Sequence, residues 1–244
     1  MLLLGLDTAT PAVTVALHDG GQPLAQLVTV DAHRHAELLA PAIAKVIADA
    51  GAERGDLTGV AVGVGPGPYT GLRVGLVTAR VLGAALGIPV YGVCSLDVIA
   101  ADVERDSEFL VATDARRREV YWARYGQPGR LDGPHVCSPA LVPHEDLPVA
   151  GEGPLLYSEL LPNGRGPTYP AAATLCRIVV AALAAAAGAD GAAAAEPAAA
   201  RADLALARTP RTARPPVLLL PPEPLYLRRP DAREPGTPKR VSQS

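Results

Sequence analysis

The chain has few cysteines, few aromatic side chains and no excess of positive charge. Its 244 residues include three cysteines, one tryptophan, one phenylalanine and one methionine, with 22 Lys and Arg against 25 Asp and Glu. Cys94, Cys137 and Cys176 show no Cys-x-x-Cys spacing, which excludes a disulfide framework and a cysteine-based zinc site. The net charge of −3 provides no overall attraction for nucleic acid, so any RNA contact has to be local.

The sequence also lacks the marks of a leader peptide or a membrane span. It reaches Asp7 after a very short apolar run with no basic region before it. The Ala-rich stretch 181–200 is interrupted by glycine, proline and acidic residues. Because the cysteine usage fits a reducing compartment, we expect a cytoplasmic protein without membrane contact.

Catalytic signatures are missing as well. The segment GVGPGPYTGLRVG (63–75) has neither a P-loop ending nor a G-x-G-x-x-G frame, and Pro66 and Pro68 remove two backbone donors. No G-x-S-x-G motif occurs. The close pair His33 and His35 would point apart on a helix, which disfavours a shared metal. The sequence therefore predicts neither a metal site nor a catalytic residue.

Two strand-turn-strand units are present in the sequence. The first unit consists of LLLGLD and VTVAL, and the second consists of FLVATDA and EVYWARY. When residue numbers of the second unit are reduced by 107, Asp114 aligns with Asp7, Val120 with Val13 and Ala123 with Ala16. Apolar periodicity predicts helices over 35–50, 71–87 and 172–188, and we assign the last to the second unit. The pattern predicts an α/β protein made by internal duplication, and it resembles the two-lobed fold of the actin, hexokinase and Hsp70 ATPase superfamily.

Domain limits follow from this pattern and from the proline distribution, since only six of the 25 prolines precede residue 128. We expect an N-terminal lobe over 1–104 and a C-terminal lobe over 105–228. The second lobe would carry a low-complexity Ala/Pro-rich insertion near 188–222, and residues 229–244 would form a disordered tail.

The turns after the first strand of each unit carry the best candidates for contact with an anion or a nucleotide such as ATP or ADP: Asp7, Thr8, Thr10, Asp114 and Arg116. The alternative is turn chemistry, in which Asp and Thr side chains bond to their own backbone. The turn DTATPA has no glycine that would let a phosphate approach the backbone, which favours the second interpretation.

Small residues recur every four positions along the helix over 71–87. Glycine inside a helix costs roughly 1 kcal/mol relative to alanine, so a close neighbour is expected along this stripe. The neighbour is either the protein's own sheet or a helix of another subunit, with Arg73 and Arg80 at the rim. The predicted partner interface comprises Gly71, Leu72, Arg73, Gly75, Leu76, Ala79, Arg80 and Gly83.

Three consecutive arginines, Arg116 to Arg118, lie at the tip of the second hairpin, with Tyr121 and Trp122 nearby. Such a tip is usually a solvated turn. It is also the best local patch in the chain for RNA or an acidic partner.

Several motifs taken together resemble the TsaB (YeaZ) family: LDTAT, GVGPGPYTGLRVG, IPVYGVCSLDVIA, DARRREVYWARY and EPLYLR. The resemblance implies a subunit without catalysis of its own, which pairs with a TsaD-like transferase and a TsaE-like ATPase. That complex makes threonylcarbamoyladenosine at the adenosine 3′ of the anticodon, in tRNAs that read codons beginning with A. It further implies contact through helices of the N-terminal lobe, or a homodimer when the transferase is absent, with tRNA bound through the complex.

TsaD-like chains carry a metal-binding histidine cluster where this chain reads Cys94-Ser95-Leu96-Asp97-Val98. Without histidines there, we expect no required cofactor and no catalysis by this chain alone. ATP or ADP stays open as a ligand, either in the cleft or at the partner interface. The alternative is a free-standing small-molecule kinase of the same superfamily, which would have to bind ATP tightly. A peptidase is a third option, and no nucleophile and base pair supports it.

Overall fold

In the computed structural model, residues 1–104, 107–127, 129–190 and 219–227 are described. A five-stranded mixed sheet in the order β3-β2-β1-β4-β5 forms the first lobe. Its strands are β1 (Leu3–Asp7), β2 (Ala12–His18), β3 (Pro23–Val30), β4 (Gly59–Gly63) and β5 (Val90–Val93). Strands β1, β2 and β3 pair antiparallel, whereas β4 lies parallel to β1 and β5 parallel to β4.

A four-stranded sheet in the order β8-β7-β6-β9 forms the second lobe. Its strands are β6 (Phe109–Asp114), β7 (Val120–Gly126), β8 (Gly129–Cys137) and β9 (Val149–Ala150). As in the first sheet, the opening strand pairs antiparallel with the next and parallel with a later one. The predicted two-lobed α/β fold is therefore confirmed, and the repeated strand order supports the duplication.

The predicted alignment of the two hairpins needs one correction. Asp7 pairs with Thr14, whereas Asp114 pairs with Val120. Val120 is thus equivalent to Thr14 rather than to Val13, because the second turn is one residue shorter. The constant offset of 107 holds for the first strand of each unit only.

In the described part of the chain, five α-helices pack on these sheets: α1 (His35–Asp49), α2 (Tyr69–Leu86), α3 (Ser95–Ala101), the short α4 (Gly153–Leu156) and α5 (Ala172–Asp190). Alternation along β1 separates their cores, since Leu4 and Leu6 face α1 and α2 while Leu3 faces α5. The prediction that the last helix belongs to the second lobe is wrong, because α5 packs on β1 and β2. Gly5 explains the contact, because a Cβ there would meet Ala172 and Cys176 of α5.

The crossover from α2 to β5 is set by Gly87. This residue has φ +65°, and its N–H donates to the Gly83 carbonyl. A left-handed residue of this kind ends a helix, and glycine adopts it without the Cβ penalty.

None of the helices within the described residues has the length and hydropathy of a membrane span. Most of the predicted insertion and the whole predicted tail fall in 191–218 and 228–244, outside the described residues. The ends of that insertion are now placed, because α5 continues to Asp190 and residues 219–222 lie beside β5.

Candidate functional site

The Asp7 carboxylate lies at the end of β1 and is completely buried. One oxygen accepts the Ala9 N–H at 2.7 Å, and the other accepts the Ser95 hydroxyl at 2.6 Å. The Ser95 oxygen in turn accepts the Gly65 N–H at 3.2 Å. Burial raises the pKa of Asp7 to about 6, although the bonds from Ser95 and Ala9 act in the opposite direction. Asp7 therefore ties the glycine-rich segment to α3 instead of facing a ligand.

The two threonines of the same turn are also engaged. The Thr8 hydroxyl donates to the Gly71 carbonyl at 2.8 Å, and the Thr10 oxygen accepts the Ala12 N–H at 3.3 Å. His35 at the start of α1 bonds to the Thr10 carbonyl at 2.8 Å. This arrangement is turn chemistry, which joins β1 to the first turns of α1 and α2.

The equivalent turn of the second lobe is more open. Asp114 accepts the Arg116 N–H at 2.8 Å and forms an ion pair with the Arg116 guanidinium at 3.3 Å. Arg116, Arg117 and Arg118 all have left-handed backbone, with φ of 61°, 55° and 59°. Tyr121 and Trp122, which we expected beside this tip, are 5% and 6% exposed. The predicted aromatic half of the RNA patch is therefore wrong at this position.

A cavity of about 350 Å³ lies where the two lobes approach each other. It brings together Thr8 and Thr10 of the first turn with Arg116 of the second, and it leaves Asp7 and Asp114 outside its lining. His33, His35 and Thr70 line it as well.

The small-residue stripe of α2 faces the protein's own sheet. A Cβ on Gly71 would lie 2.6 Å from the Thr8 carbonyl oxygen, one on Gly75 would meet the Thr8 hydroxyl, and one on Gly83 would meet Val90. The predicted docking role is therefore wrong for the six buried residues of this face, and only Arg73 and Arg80 are exposed. The buried residues are Gly71, Leu72, Gly75, Leu76, Ala79 and Gly83.

The opposite side of α2 is exposed and apolar. Val77 is 56% exposed and Val81 60% exposed. The neighbouring α1 presents four exposed alanines at a spacing of four: Ala36, Ala40, Ala44 and Ala48. Ala36 and Val74 line the same cavity, so the two surfaces are continuous. We call these exposed residues of α1 and α2 the α1–α2 face. On α2, whose sides are all apolar in the sequence, the spacing alone does not show which side is buried.

On α3, Asp97 forms a polar cluster with two residues of the second lobe. It accepts the Tyr125 hydroxyl at 2.7 Å and lies 3.6 Å from the Arg130 guanidinium. Arg130 also approaches the Cys94 sulfur at 3.5 Å, and burial raises the pKa of that thiol to about 12. Among the described residues, no group of three or more His, Cys, Asp and Glu side chains could hold a metal ion.

The segment 219–227, which we call the strap, crosses both lobes. Leu220 exchanges backbone hydrogen bonds with Gly92 of β5, and the Leu225 N–H donates to the Val64 carbonyl. Tyr226 stacks on Tyr69 with ring centroids 5.3 Å apart. The Arg73 guanidinium lies 4.1 Å from the Tyr69 ring centroid on α2. Sequence reasoning noted EPLYLR as a motif but did not predict its position.

Comparison with known proteins identifies the family. The family model described as "TsaD: tRNA N6-adenosine threonylcarbamoyltransferase" matches residues 28–151, half of the chain. An uncharacterized protein of Mycobacterium tuberculosis is 46% identical over 153 residues, covering 61% of this chain and 71% of that protein. The Escherichia coli tRNA threonylcarbamoyladenosine biosynthesis protein TsaB is 35% identical over 134 residues, covering 51% and 55%.

A solved structure shows the same relationship. YeaZ from Pseudomonas aeruginosa has a TM-score of 0.63 and 31% identity, over 77% of this chain and 93% of that one. The resemblance predicted from the motifs is confirmed, and this chain belongs to the TsaB (YeaZ) family.

Proposed function

We propose that the chain is a non-catalytic subunit that binds and stabilises a TsaD-type transferase during the synthesis of threonylcarbamoyladenosine in tRNA. The observation that carries the proposal is the exposed apolar α1–α2 face in a chain of the TsaB family. Catalysis would reside in the partner, and tRNA would be bound by the complex.

The chemistry of the α1–α2 face suits a helical partner. Exposed alanines on α1 and valines on α2 allow two further helices to approach closely and to bury apolar surface. Arg80 lies exposed on α2, where it can pair with acidic residues at the rim of a contact.

A TsaD-type transferase is expected to carry helices equivalent to α1 and α2, which could pack against the α1–α2 face. The transferase family model matches residues 28–151, which include all of α1 and α2. A transferase of that family would carry equivalent helices, so two similar faces can pack in a pseudo-symmetric manner. A second copy of this chain can occupy the face when the transferase is absent, and a TsaE-like ATPase would join the assembled pair.

The polar groups of the lobe junction favour a structural subunit over an enzyme. Both oxygens of Asp7 and the Thr8 hydroxyl are bonded within the protein, and Asp97 is paired with Arg130. A kinase of this fold would need side chains at these turns to be available for a nucleotide and its metal ion. The proposal therefore requires no cofactor for this chain.

The experiment replaces Val77 by Asp, which places a charge on the exposed valine side of α2, within the α1–α2 face. Complex formation with the transferase of the same organism, measured by size-exclusion chromatography with light scattering, should be lost. Val28→Asp is the matched control, because Val28 on β3 is 58% exposed against 56% for Val77.

Depletion of the chain should remove threonylcarbamoyladenosine from tRNA, as measured by nucleoside mass spectrometry. Intact pairing of the Val77→Asp variant would disprove the assigned face.

A further inference from the structure

We propose that this chain also contacts the tRNA directly, through a surface formed by Arg73, Tyr69 and Tyr226 together with the arginine tip at Arg116 to Arg118. The inference rests on the proposed function, because the RNA is taken to be the tRNA substrate of the complex. It assigns a substrate-contacting role to a subunit otherwise proposed only to support the transferase.

The aromatic part of this surface is exceptional within the chain. All nine aromatic residues lie in the described part, and only Tyr69 and Tyr226, at 43% and 40% exposure, are exposed. These two rings stack on each other with an interplanar angle of 26°, and Arg73 covers the Tyr69 ring. A preformed stack of exposed rings and a guanidinium offers π-surface on which an unpaired base can stack.

The stack is assembled from two distant parts of the sequence. Tyr69 and Arg73 occupy successive turns of α2, whereas Tyr226 is held by the strap through the backbone bond from Leu225 to Val64. Both supporting elements are packed on the lobe cores, since Leu225 contacts the clusters of both lobes. The rings are therefore fixed before any ligand arrives.

Positive charge lies on the adjoining surface. Arg116 lines the same cavity as Pro68 and Thr70, the residues that flank Tyr69. Within the described residues, Arg73 and Arg118 have no carboxylate at ion-pair distance; Asp114 pairs with Arg116. Guanidinium groups in this position complement phosphates in an otherwise acidic chain.

The backbone of the tip supports a specific arrangement of these arginines. Left-handed backbone costs a non-glycine residue about 1–2 kcal/mol, and three consecutive residues adopt it here. Their conformation is held by the bond from the Arg116 N–H to Asp114 and by the Ala115–Glu119 backbone bond. The stacked rings supply base contacts and the tip supplies phosphate contacts, which together suit a single-stranded RNA segment.

The test measures tRNA affinity of the assembled complex with the transferase, by fluorescence anisotropy across a salt series. Tyr226→Ser should weaken binding about 10-fold, whereas Tyr226→Phe should bind as the parent does, because the ring remains. The double variant Arg73→Gln, Arg118→Gln should lower the salt slope by about two. Arg54→Gln is the control, since Arg54 precedes β4 and lies at the opposite strand end from the cavity.

The outcomes are separable. Weaker tRNA binding by the first and third variants, with unchanged affinity for the transferase and unchanged melting temperature, supports the inference. Unchanged tRNA affinity overturns it. A loss of transferase affinity in these variants also overturns it, because the surface is then a protein contact. If the unmodified chain fails to bind the transferase at all, the proposed function has failed, which is a different result.

Discussion

Asp7 illustrates how a single carboxylate can hold a loop without taking part in chemistry. Its side chain is enclosed by the residues it bonds, and a Cβ at Gly63 would overlap one of its oxygens. The glycine of β4 thus leaves room for the carboxylate, and Ser95 connects that carboxylate to the glycine-rich segment. The position corresponds to Asp114 in the second lobe, where the side chain bonds Arg116 in a more open turn.

The raised pKa of Asp7 predicts a pH effect on stability. Burial raises its pKa from 3.8 to about 6 in the folded protein, so between these values the folded chain keeps a proton that the unfolded chain has lost. Stability contributed at this residue is therefore present below about pH 4 and falls as the pH rises to 6, by roughly 3 kcal/mol. The Asp7→Asn variant should lack this component.

The measurement is urea unfolding of both proteins at several pH values between 4.5 and 7.5. The difference in unfolding free energy between variant and parent should shift in favour of the variant as the pH rises. A difference that stays constant with pH would show that Asp7 titrates normally.

Among the elements, α2 combines two faces with opposite roles. Its glycine face lies so close to β1 and β5 that side chains are excluded, while its valine face is exposed. The high cost of glycine in a helix is offset by the close packing of the helix on the sheet.

Gly75→Leu is predicted to destabilise the fold, because the new side chain would overlap the Thr8 hydroxyl and press on Leu6. Overpacking of this kind costs about 2–3 kcal/mol. Thermal unfolding of Gly75→Leu, compared with Val77→Asp two positions further along the same helix, checks the assignment of the faces. The Val77→Asp variant should change stability by less than about 1 kcal/mol. Equal melting temperatures for the two variants would contradict the orientation of α2.

The positions of the helices could largely be predicted from the sequence, but the elements that they pack against could not. Periodicity placed α1 and α2 within two residues of their observed ends, because apolar spacing reports a helix directly. It could not show that the glycine stripe faces β1, since small residues pack equally well on a sheet or on a partner helix. The Asp turns were found from their residue types, whereas the stack of Tyr226 on Tyr69 joins residues 157 positions apart and left no local signal.

Within the described residues, α5, α3 and the strap all help to connect the two lobes. α5 returns to the first sheet, the polar cluster of Asp97, Tyr125 and Arg130 joins α3 to the second sheet, and the strap contacts both cores. In the Asp97 cluster, burial raises the pKa of Asp97 while Arg130 acts to lower it.

We expect the strap to contribute to the unfolding free energy of the whole protein, although it is a short segment outside both sheets. Leu220 and Leu225 are partly buried and pack against both hydrophobic clusters, so truncating them removes apolar contact from each lobe at once. The double variant Leu220→Ala, Leu225→Ala should lose about 2–4 kcal/mol in unfolding free energy, as measured with urea. Leu155→Ala, at a position 70% exposed, is the control and should change little in unfolding free energy.

Because Tyr226 is held by the same segment, the double variant Leu220→Ala, Leu225→Ala should also become easier to cleave by protease near residue 226 before global unfolding. Parent-like resistance together with parent-like stability would mean that the lobes hold together without the strap.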